Sequence, residues 1–195
     1  MLAPLLCARG ESRIDLLVLS HRDSDHVGGA AALMQGLRVG ALLSSLEDDH
    51  ALLRAGPPHR RCAAGQSWHW DGVRFEVLHP PQPEHAARPN ALSCVLRIEG
   101  TDGRSPLLTG DIEAAQEAAL LARLGPALRS RVLVVPHHGS RSSSTAEFIG
   151  AVAPGTALVQ AGYRSRFGHP APEVVERYRA LSVELLRTDR CGAWT

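Results

Sequence analysis

Four side chains that can bind a divalent cation lie within six consecutive residues in the first part of the chain. They are His21, Asp23, Asp25 and His26. In a tight turn after a strand, side chains two residues apart can point to the same side. The glycines at 28 and 29 let the backbone pass close to such a cluster. Imidazole and carboxylate groups together suit zinc, manganese or iron better than calcium. We therefore predict that this segment binds metal and is not merely a solvated polar loop.

Three further segments carry groups that bind metal or transfer protons. Asp111 ends an apolar run, and a carboxylate in that place can bridge two metal ions roughly 3.5–4 Å apart. His137 and His138 follow another apolar run, and clustered imidazoles are commonly ligands or proton carriers. His169 stands alone in a loop, so the pattern around it is less informative. Together these segments predict a site built from distant parts of the chain.

The elements that must position these groups follow from the pattern of apolar residues. Short apolar or alternating runs predict strands at 14–20, 39–44, 67–70, 73–78, 93–99, 105–109, 131–135, 157–161 and 183–187. Longer periodic stretches predict helices at 28–37, 47–55, 112–124, 144–152 (with Ser144 as its cap) and 172–181. This order predicts an α/β fold with sheets layered between helices. The polar motifs follow strand ends, where such folds place their chemistry.

The composition limits the class of protein. The chain has 195 residues, 44% of them hydrophobic, which fits a single globular domain over residues 1–195. A net charge of +1 excludes a global drive toward nucleic acid or membrane. Apolar runs all fall short of the roughly 18 residues that span a bilayer, so the chain as given is expected to be soluble. The four cysteines lack metal-site spacing, and we expect buried small side chains or unpaired thiols.

The series of motifs resembles the metallo-β-lactamase superfamily and, more narrowly, the C-terminal domain of the ComEC DNA-internalisation competence proteins. The matching segments lie in the same order from about residue 12 to the end, at 20–29, 90–95, 107–113, 135–143 and 168–170. Asp23 stands where most superfamily members have histidine and where the ComEC-like group commonly has aspartate. This substitution therefore favours the narrower assignment.

The resemblance implies a metallo-β-lactamase-like αββα sandwich. Family domains begin with a strand hairpin carrying Val-Gly-Gln-Gly-Asp and a later Asp-Thr-Gly, and neither segment occurs here. We therefore expect the first strands of one sheet to be lacking. In the family this domain follows a membrane-embedded channel region. The resemblance thus implies a parent protein in the bacterial inner membrane, with this domain outside the cytoplasm.

The resemblance also implies two divalent metal ions, manganese or zinc, and no organic cofactor. We expect the first ion to be held by His21, Asp23 and Asp111, and the second by Asp25, His26, His137 and the shared Asp111. Asn90 lies at or near the position of a third superfamily histidine, and His85 is close enough to substitute. A first site poor in nitrogen ligands would favour a harder ion such as manganese.

The expected reaction is two-metal hydrolysis of a phosphodiester. The resemblance implies that the substrate is single-stranded DNA, namely the strand that is not imported. Asp25, His138 and His169 are the predicted catalytic residues, with either histidine donating a proton to the leaving group. The predicted substrate-binding residues are Asn90, Ser140, Arg141 and Ser142, with Ser143, Arg164 and Arg166 as further phosphate contacts. The predicted partners are DNA and the channel region of the parent protein.

Two other functions fit the same residues. A small-molecule phosphodiesterase or thioesterase would use identical ligands, because function depends on the loops around them. A module that binds DNA or a partner without cleaving it would also fit, because Asn90 replaces a histidine and the N-terminal strands are lacking.

Overall fold

The computed structural model describes residues 2–54, 56–81 and 88–192, and within these ranges the strands form two sheets. The smaller sheet is parallel and has the order β1-β2-β3. Its strands are β1 (Arg13–Leu19), β2 (Arg38–Ser44) and β3 (His59–Arg61). Leucine and valine dominate β1 and β2, as is typical of strands covered on both faces.

The larger sheet has the order β10-β9-β8-β7-β6-β5-β4. Its strands are β4 (Ser67–Trp70), β5 (Val73–His79), β6 (Val95–Glu99), β7 (Pro106–Leu108), β8 (Val132–Val134), β9 (Thr156–Val159) and β10 (Glu184–Arg187). Strands β4 to β7 pair antiparallel, and β7 to β10 pair parallel. The hairpin between β4 and β5 turns at Asp71 and Gly72, which both have positive φ, as the Asp-Gly pair predicts.

The helices pack on the outer faces of the two sheets. They are α1 (Leu2–Ala8), α2 (Ser24–Val27), α3 (Ala30–Gly36), α4 (Ala51–Arg54), α5 (Ala114–Leu124), α6 (Ala146–Val152), α7 (Pro172–Ala180) and α8 (Thr188–Cys191). Single turns of 3-10 helix cover Pro89–Leu92 and Gly125–Leu128. Across the described ranges, every helix is too short or too polar to cross a bilayer.

Three apolar clusters hold the layers together. Leu133 and Phe148 are fully buried in the largest cluster, between the larger sheet and helices α5 to α7. Leu43 and Leu96 belong to a second cluster between the two sheets. Leu42 belongs to a third, between the smaller sheet and the helices α2 to α4. The layer order is therefore helix, sheet, sheet, helix, and the expected αββα architecture is confirmed.

A disulfide joins the two sheets, and it corrects the expectation about the cysteines. Cys62 follows β3, Cys94 precedes β6, and the two residues form a bond with a Cα–Cα distance of 5.8 Å. Both are buried in the cluster between the sheets. Cys7 and Cys191 are free and exposed. The pairing was not predictable from spacing because it depends on which strands become neighbours across the sandwich.

Local details differ from the sequence prediction in two helices. The helix predicted over 47–55 is shorter, Ala51–Arg54. Ser144 does not cap α6: the Thr145 side chain accepts from the Phe148 amide instead. Ser144 has φ +59°, and its amide donates to the Glu117 carboxylate at 2.5 Å. A buried carboxylate from α5 therefore fixes the segment that leads into α6.

Candidate metal centre

The candidate site lies where the C-terminal ends of β1, β7 and β8 meet. The Cys94 amide donates to the Ser20 carbonyl at 2.9 Å, and the His137 amide donates to the Gly110 carbonyl at 3.1 Å. The first bond joins the segment after β1 to the larger sheet, and the second joins the segments that follow β7 and β8. Gly110 has φ +55°, and a Cβ there would lie 2.9 Å from the Ser20 Cβ. Only glycine permits this close approach of the sheet ends.

Four side chains converge at this junction. The ligand atoms of Asp25, His26, Asp111 and His138 all lie within 4.8 Å of one another. His26 Nε2 is 3.1 Å from Asp111 Oδ1, and His138 Nε2 is 3.2 Å from Asp25 Oδ2. Two imidazole nitrogens and two carboxylate oxygens form a donor set suited to zinc, manganese or iron. The residues therefore fit a divalent ion.

A second group of side chains faces the other oxygen of the same carboxylate. His137 Nε2 lies 3.8 Å from Asp111 Oδ2, and His21 Nε2 lies 4.0 Å from it. Asp23 Oδ2 is 3.5 Å from His21 Nε2. His21 is fully buried, and its Nε2 atom has no hydrogen-bond partner among the described residues. Because an unpaired buried nitrogen is costly, this geometry also fits an ion, with Asp111 shared between the two groups.

The two adjacent histidines enter different groups. The sequence analysis assigned His137 to the group of Asp25 and His26, and His138 to proton transfer. The structure places His138 with Asp25 and His26, and it places His137 on the side of His21. Consecutive left-handed backbone conformations, with φ of +49° and +53°, turn the two imidazoles toward opposite sides of Asp111. This conformation cannot be deduced from the residue types.

Three polar groups orient the candidate ligands. The Ser20 hydroxyl lies 2.8 Å from His26 Nδ1. The buried Ser93 hydroxyl accepts from the Asp111 amide at 3.0 Å and lies 3.4 Å from His21 Nδ1. The Gln160 carbonyl lies 2.7 Å from His138 Nδ1, which must donate to it. Neutral His138 therefore carries its lone pair on Nε2, the atom that faces the cluster.

Ser93 and Gln160 were not assigned roles from the sequence. Ser93 was only part of the motif that contains Asn90. The signal that pointed toward it was a small hydroxyl residue at the start of the strand predicted over 93–99, within the matching segment at 90–95. Gln160 contributes its backbone carbonyl, which no side-chain pattern reveals.

The electrostatics of the cluster favour a protonated His26 beside an ionised Asp111. Burial alone would raise the pKa of Asp111, but the hydrogen bond and positive charge of His26, with those of the adjacent histidines, lower it below its ordinary value. Burial would lower the pKa of His26, and the same hydrogen bond to Asp111 raises it instead. Burial, then the charge of His26, lowers the pKa of His21. Neutral His21 can therefore act as a ligand.

The predicted substrate-binding residues occupy different places. Ser142 donates to Glu113 Oε1 at 2.8 Å and lies 3.3 Å from His137 Nδ1, so it borders the site. Ser140 lies beside it, with their hydroxyl oxygens 3.1 Å apart. Arg141 is exposed and pairs with Glu173 at the start of α7. Ser140 and Ser142 therefore border His137, whereas the contact of Arg141 is with α7.

The structure corrects two of the predicted substrate contacts, those of Ser143 and Asn90. Ser143 is buried and donates to the Pro136 carbonyl, so it does not face a phosphate. Within the described ranges, Asn90 makes no side-chain contact with the cluster, and Ser93 is the residue of that motif that reaches it. His85, the suggested substitute ligand, lies outside the described residues.

His169 adjoins the site from the loop before α7. Its ring lies 5.9 Å from the ring of His137. Its Nδ1 atom is buried without a hydrogen-bond partner among the described residues. Burial, followed by the charges of His137 and His138, lowers the pKa of His169. A neutral imidazole thus stands beside the cluster without belonging to the four-residue group.

Comparison with known proteins agrees with this architecture. A sequence model of the metallo-beta-lactamase superfamily matches residues 8–163. The competence protein ComA of Neisseria gonorrhoeae is 41% identical over 197 residues, which is 98% of this chain and 26% of that protein. ComE operon protein 3 of Bacillus subtilis (strain 168) is 35% identical over 201 residues, which again cover 98% of this chain and 26% of that protein. The chain thus spans about a quarter of the length of these relatives.

A solved structure gives the same fold. The metallo-β-lactamase fold protein YhfI from Bacillus subtilis aligns with a TM-score of 0.55 and 12% sequence identity. The alignment covers 95% of this chain and 80% of that chain. At this level of identity the likeness concerns the fold alone.

Proposed function

Because this chain belongs to the metallo-β-lactamase superfamily, a family with a hydrolase fold, we propose that it is a metal-dependent phosphodiester hydrolase acting on DNA. The observation that carries the proposal is the convergence of Asp25, His26, Asp111 and His138 at the joined ends of the two sheets. Relatives named as competence proteins support DNA as the substrate. In this proposal the chain is the nuclease domain of a DNA-uptake protein and degrades the strand that is not transported.

We propose that two divalent ions, manganese or zinc, occupy the two groups of side chains. The first group is Asp25, His26, His138 and Asp111, and the second is His21, Asp23, His137 and Asp111. When bound, such ions supply positive charge that activates water and stabilises the charge developing on the phosphodiester. The shared carboxylate of Asp111 and the unpaired nitrogen of His21 support the two-ion arrangement.

The residues of the chain itself position the reaction. Ser93 fixes Asp111 through its amide, and the Gln160 carbonyl fixes the tautomer of His138. Because His138 lies among the ligands, His169 is the better candidate for contacting substrate. As a neutral imidazole it can hydrogen-bond a phosphate oxygen or exchange a proton with the leaving group. In this proposal the Ser140 hydroxyl donates to the same phosphate, and the Ser142 hydroxyl, which donates to Glu113 in this structure, would turn to do so as well.

The disulfide supports a location outside the cytoplasm. Cys62 and Cys94 are paired in the interior, and such bonds persist in oxidising compartments and are rare in reducing ones. We propose that the domain is part of a longer protein of the bacterial inner membrane and works beside its channel region. Coverage of only 26% of each relative supports a longer parent protein.

The direct test is hydrolysis of a fluorescent single-stranded oligonucleotide with added Mn²⁺ or Zn²⁺. We expect cleavage by the wild-type chain and its loss in Asp25→Ala. Asp49→Ala is the matched control, because Asp49 is an exposed aspartate in a turn after β2. Loss of cleavage in both variants, or in neither, would contradict the assigned site.

The same assay separates the other two functions. Hydrolysis of bis(p-nitrophenyl) phosphate without any cleavage of DNA would assign a small-molecule hydrolase. Binding of DNA without turnover of either substrate, at any divalent ion, would assign a module that binds without cleaving. Either result would replace the proposed nuclease.

A further inference from the structure

We propose that residues 162–169, called here the aromatic loop, bind single-stranded nucleic acid by stacking its unpaired bases next to the metal centre. The inference rests on the proposed function and specifies its substrate class. It assigns base stacking to Tyr163 and Phe167, and backbone phosphate contacts to Arg164 and Arg166. The argument uses exposure, charge and the place of the loop in the fold.

Two large rings project from the aromatic loop into solvent. Tyr163 is 76% exposed and Phe167 is 67% exposed, more than the other large hydrophobic side chains of the described residues. Trp70, an exposed aromatic at the far edge of the larger sheet, is 44% exposed. Exposure of an apolar ring to water is unfavourable. A cluster of exposed rings marks a binding surface more often than a single ring does. Rings of this kind stack nucleobases irrespective of base identity.

The charges of the loop complement a nucleic-acid backbone. The Arg164 guanidinium lies 5.3 Å from the centre of the Tyr163 ring, and that of Arg166 lies 4.8 Å from the centre of the Phe167 ring. Segment 162–169 contains no acidic residue. Among the described residues, neither arginine forms an ion pair with a carboxylate. Both guanidinium groups therefore lie over the rings without an acidic partner among the described residues, so phosphates can pair with them.

The loop is attached to the metal centre at both ends. It begins two residues after Gln160, whose carbonyl holds His138. At its other end, the Ala171 amide donates to the Gly139 carbonyl at 2.9 Å. A Cβ on Gly139 would lie 2.6 Å from Pro170, so the two segments are in close contact. Movement of the loop away from the His137–Gly139 turn is therefore restricted.

Ring contacts connect the loop to the candidate ligands. Phe167 lies almost parallel to His169, with ring centres 6.0 Å apart, and His169 is 5.9 Å from His137. A chain whose bases stack on Phe167 would thus carry its backbone past the metal centre. Bases within a duplex are already stacked on one another and do not offer their faces to such rings. The arrangement therefore favours a single strand over a duplex.

The test measures binding separately from hydrolysis. Fluorescence anisotropy with a fluorescein-labelled oligo-dT of about 20 nucleotides, longer than one stacking site needs, gives Kd in EDTA, where no cleavage occurs. We expect Tyr163→Ala/Phe167→Ala to raise Kd at least about tenfold. We expect Tyr163→Phe/Phe167→Trp to stay within about threefold of wild type, because the stacking faces are kept. Trp70→Ala is the control for loss of an exposed ring elsewhere.

An abasic oligomer of the same length identifies the stacked partner. The wild-type chain should bind the abasic oligomer more weakly than oligo-dT. The double alanine variant should bind the abasic oligomer with the same Kd as the wild-type chain. Equal loss on the abasic and normal oligomers, or an unchanged Kd in the double variant, would overturn the inference. Ring-dependent binding to anionic phosphatidylglycerol vesicles without binding to oligo-dT would also overturn it, and would assign the loop to a membrane surface.

A second readout separates this inference from the proposed function. Retention of Mn²⁺ after dialysis, measured by elemental analysis, depends on the candidate ligands and not on the two rings, so we expect the double alanine variant to retain as much Mn²⁺ as the wild-type chain. If the wild-type chain hydrolyses nothing but binds oligo-dT through the rings, the proposed function fails and the aromatic loop stands. If DNA is cleaved but the double alanine variant has the same Kd as the wild-type chain, the inference alone fails.

Discussion

Nε2 of His26 lies 3.1 Å from Oδ1 of Asp111, and Oδ2 of the same carboxylate faces His137 and His21. One aspartate is therefore shared by both groups of candidate ligands. Its backbone amide is held in turn by Ser93. The first two predictions below depend on these contacts, and the others depend on the disulfide and on a buried glutamate elsewhere in the fold.

Replacing the shared carboxylate should disable both groups at once. We expect Asp111→Asn to lower DNA hydrolysis more than about a hundredfold, because loss of a residue that merely orients a ligand already costs about 10–100-fold. The amount of Mn²⁺ or Zn²⁺ retained after dialysis, measured by elemental analysis, should fall in parallel. Asp49→Asn is the control. A variant that keeps its metal but loses activity would argue against the shared role.

Removing the Ser93 hydroxyl should weaken metal binding without removing a ligand. Ser93→Ala leaves the Asp111 amide without its acceptor, and we expect about 10–100-fold weaker metal affinity by calorimetric titration. Ser130→Ala is a matched control, since Ser130 is also a buried serine, donating to the Leu128 carbonyl. Both variants should lose some stability, but unchanged metal affinity in Ser93→Ala would contradict its orienting role.

The disulfide between the sheets should contribute substantially to stability. It closes a loop with a sequence separation of 32, for which chain entropy predicts about 3–4 kcal/mol. We expect Cys62→Ala/Cys94→Ala to unfold roughly 7–14 °C lower in a thermal melt. Cys7→Ala/Cys191→Ala, which removes the two exposed free thiols, should melt like wild type.

Reducing agent offers an independent check on the same bond. Dithiothreitol should lower the melting temperature of the wild-type chain and leave the Cys62→Ala/Cys94→Ala variant unaffected. Equal sensitivity of the two proteins would show that the bond is not formed in solution.

The buried carboxylate of Glu117 should make stability depend on pH. Burial raises its pKa, although the amides of Ser144 and Thr145 donate to it. The folded state then keeps a proton that the unfolded chain has already lost. The free energy of unfolding should therefore fall as pH rises from the ordinary glutamate value of about 4.3 through the raised pKa.

Comparison of two variants isolates this dependence. Glu117→Gln removes the titrating group. Its free energy of unfolding, measured by urea denaturation, should therefore not show the decrease with rising pH that Glu117 causes in the wild-type chain. Glu147→Gln, at an exposed glutamate in the first turn of α6, should follow the wild-type curve. A wild-type curve parallel to that of Glu117→Gln would exclude a raised pKa for this group.

The sequence was sufficient for most strands and for the general position of the candidate metal centre. Runs such as 14–20 and 73–78 are dense in apolar residues and match β1 and β5 closely. The short strand β3, His59–Arg61, was missed because its residues are polar and it pairs only with the end of β2. Its place depends on a parallel neighbour distant in sequence, which periodicity does not record.

The grouping of residues within the site was harder to predict from the sequence than the position of the site. The dense set at His21 to His26 and the carboxylate of Asp111 predicted a candidate metal site by residue type alone. The grouping of His137 and His138 depended on backbone conformation, and the contribution of Ser93 depended on the approach of two sheets. Such relationships are properties of tertiary packing and have no signature along the chain.

The left-handed backbone at His137 and His138 has a consequence for evolution and engineering. Residues with a Cβ disfavour this conformation by about 1–2 kcal/mol each, and two adjacent imidazoles adopt it here. A screen that selects for heat resistance alone should therefore recover glycine or asparagine at these positions. Such proteins would be more stable but inactive, because the histidines needed at this turn adopt a backbone conformation that residues with a Cβ disfavour.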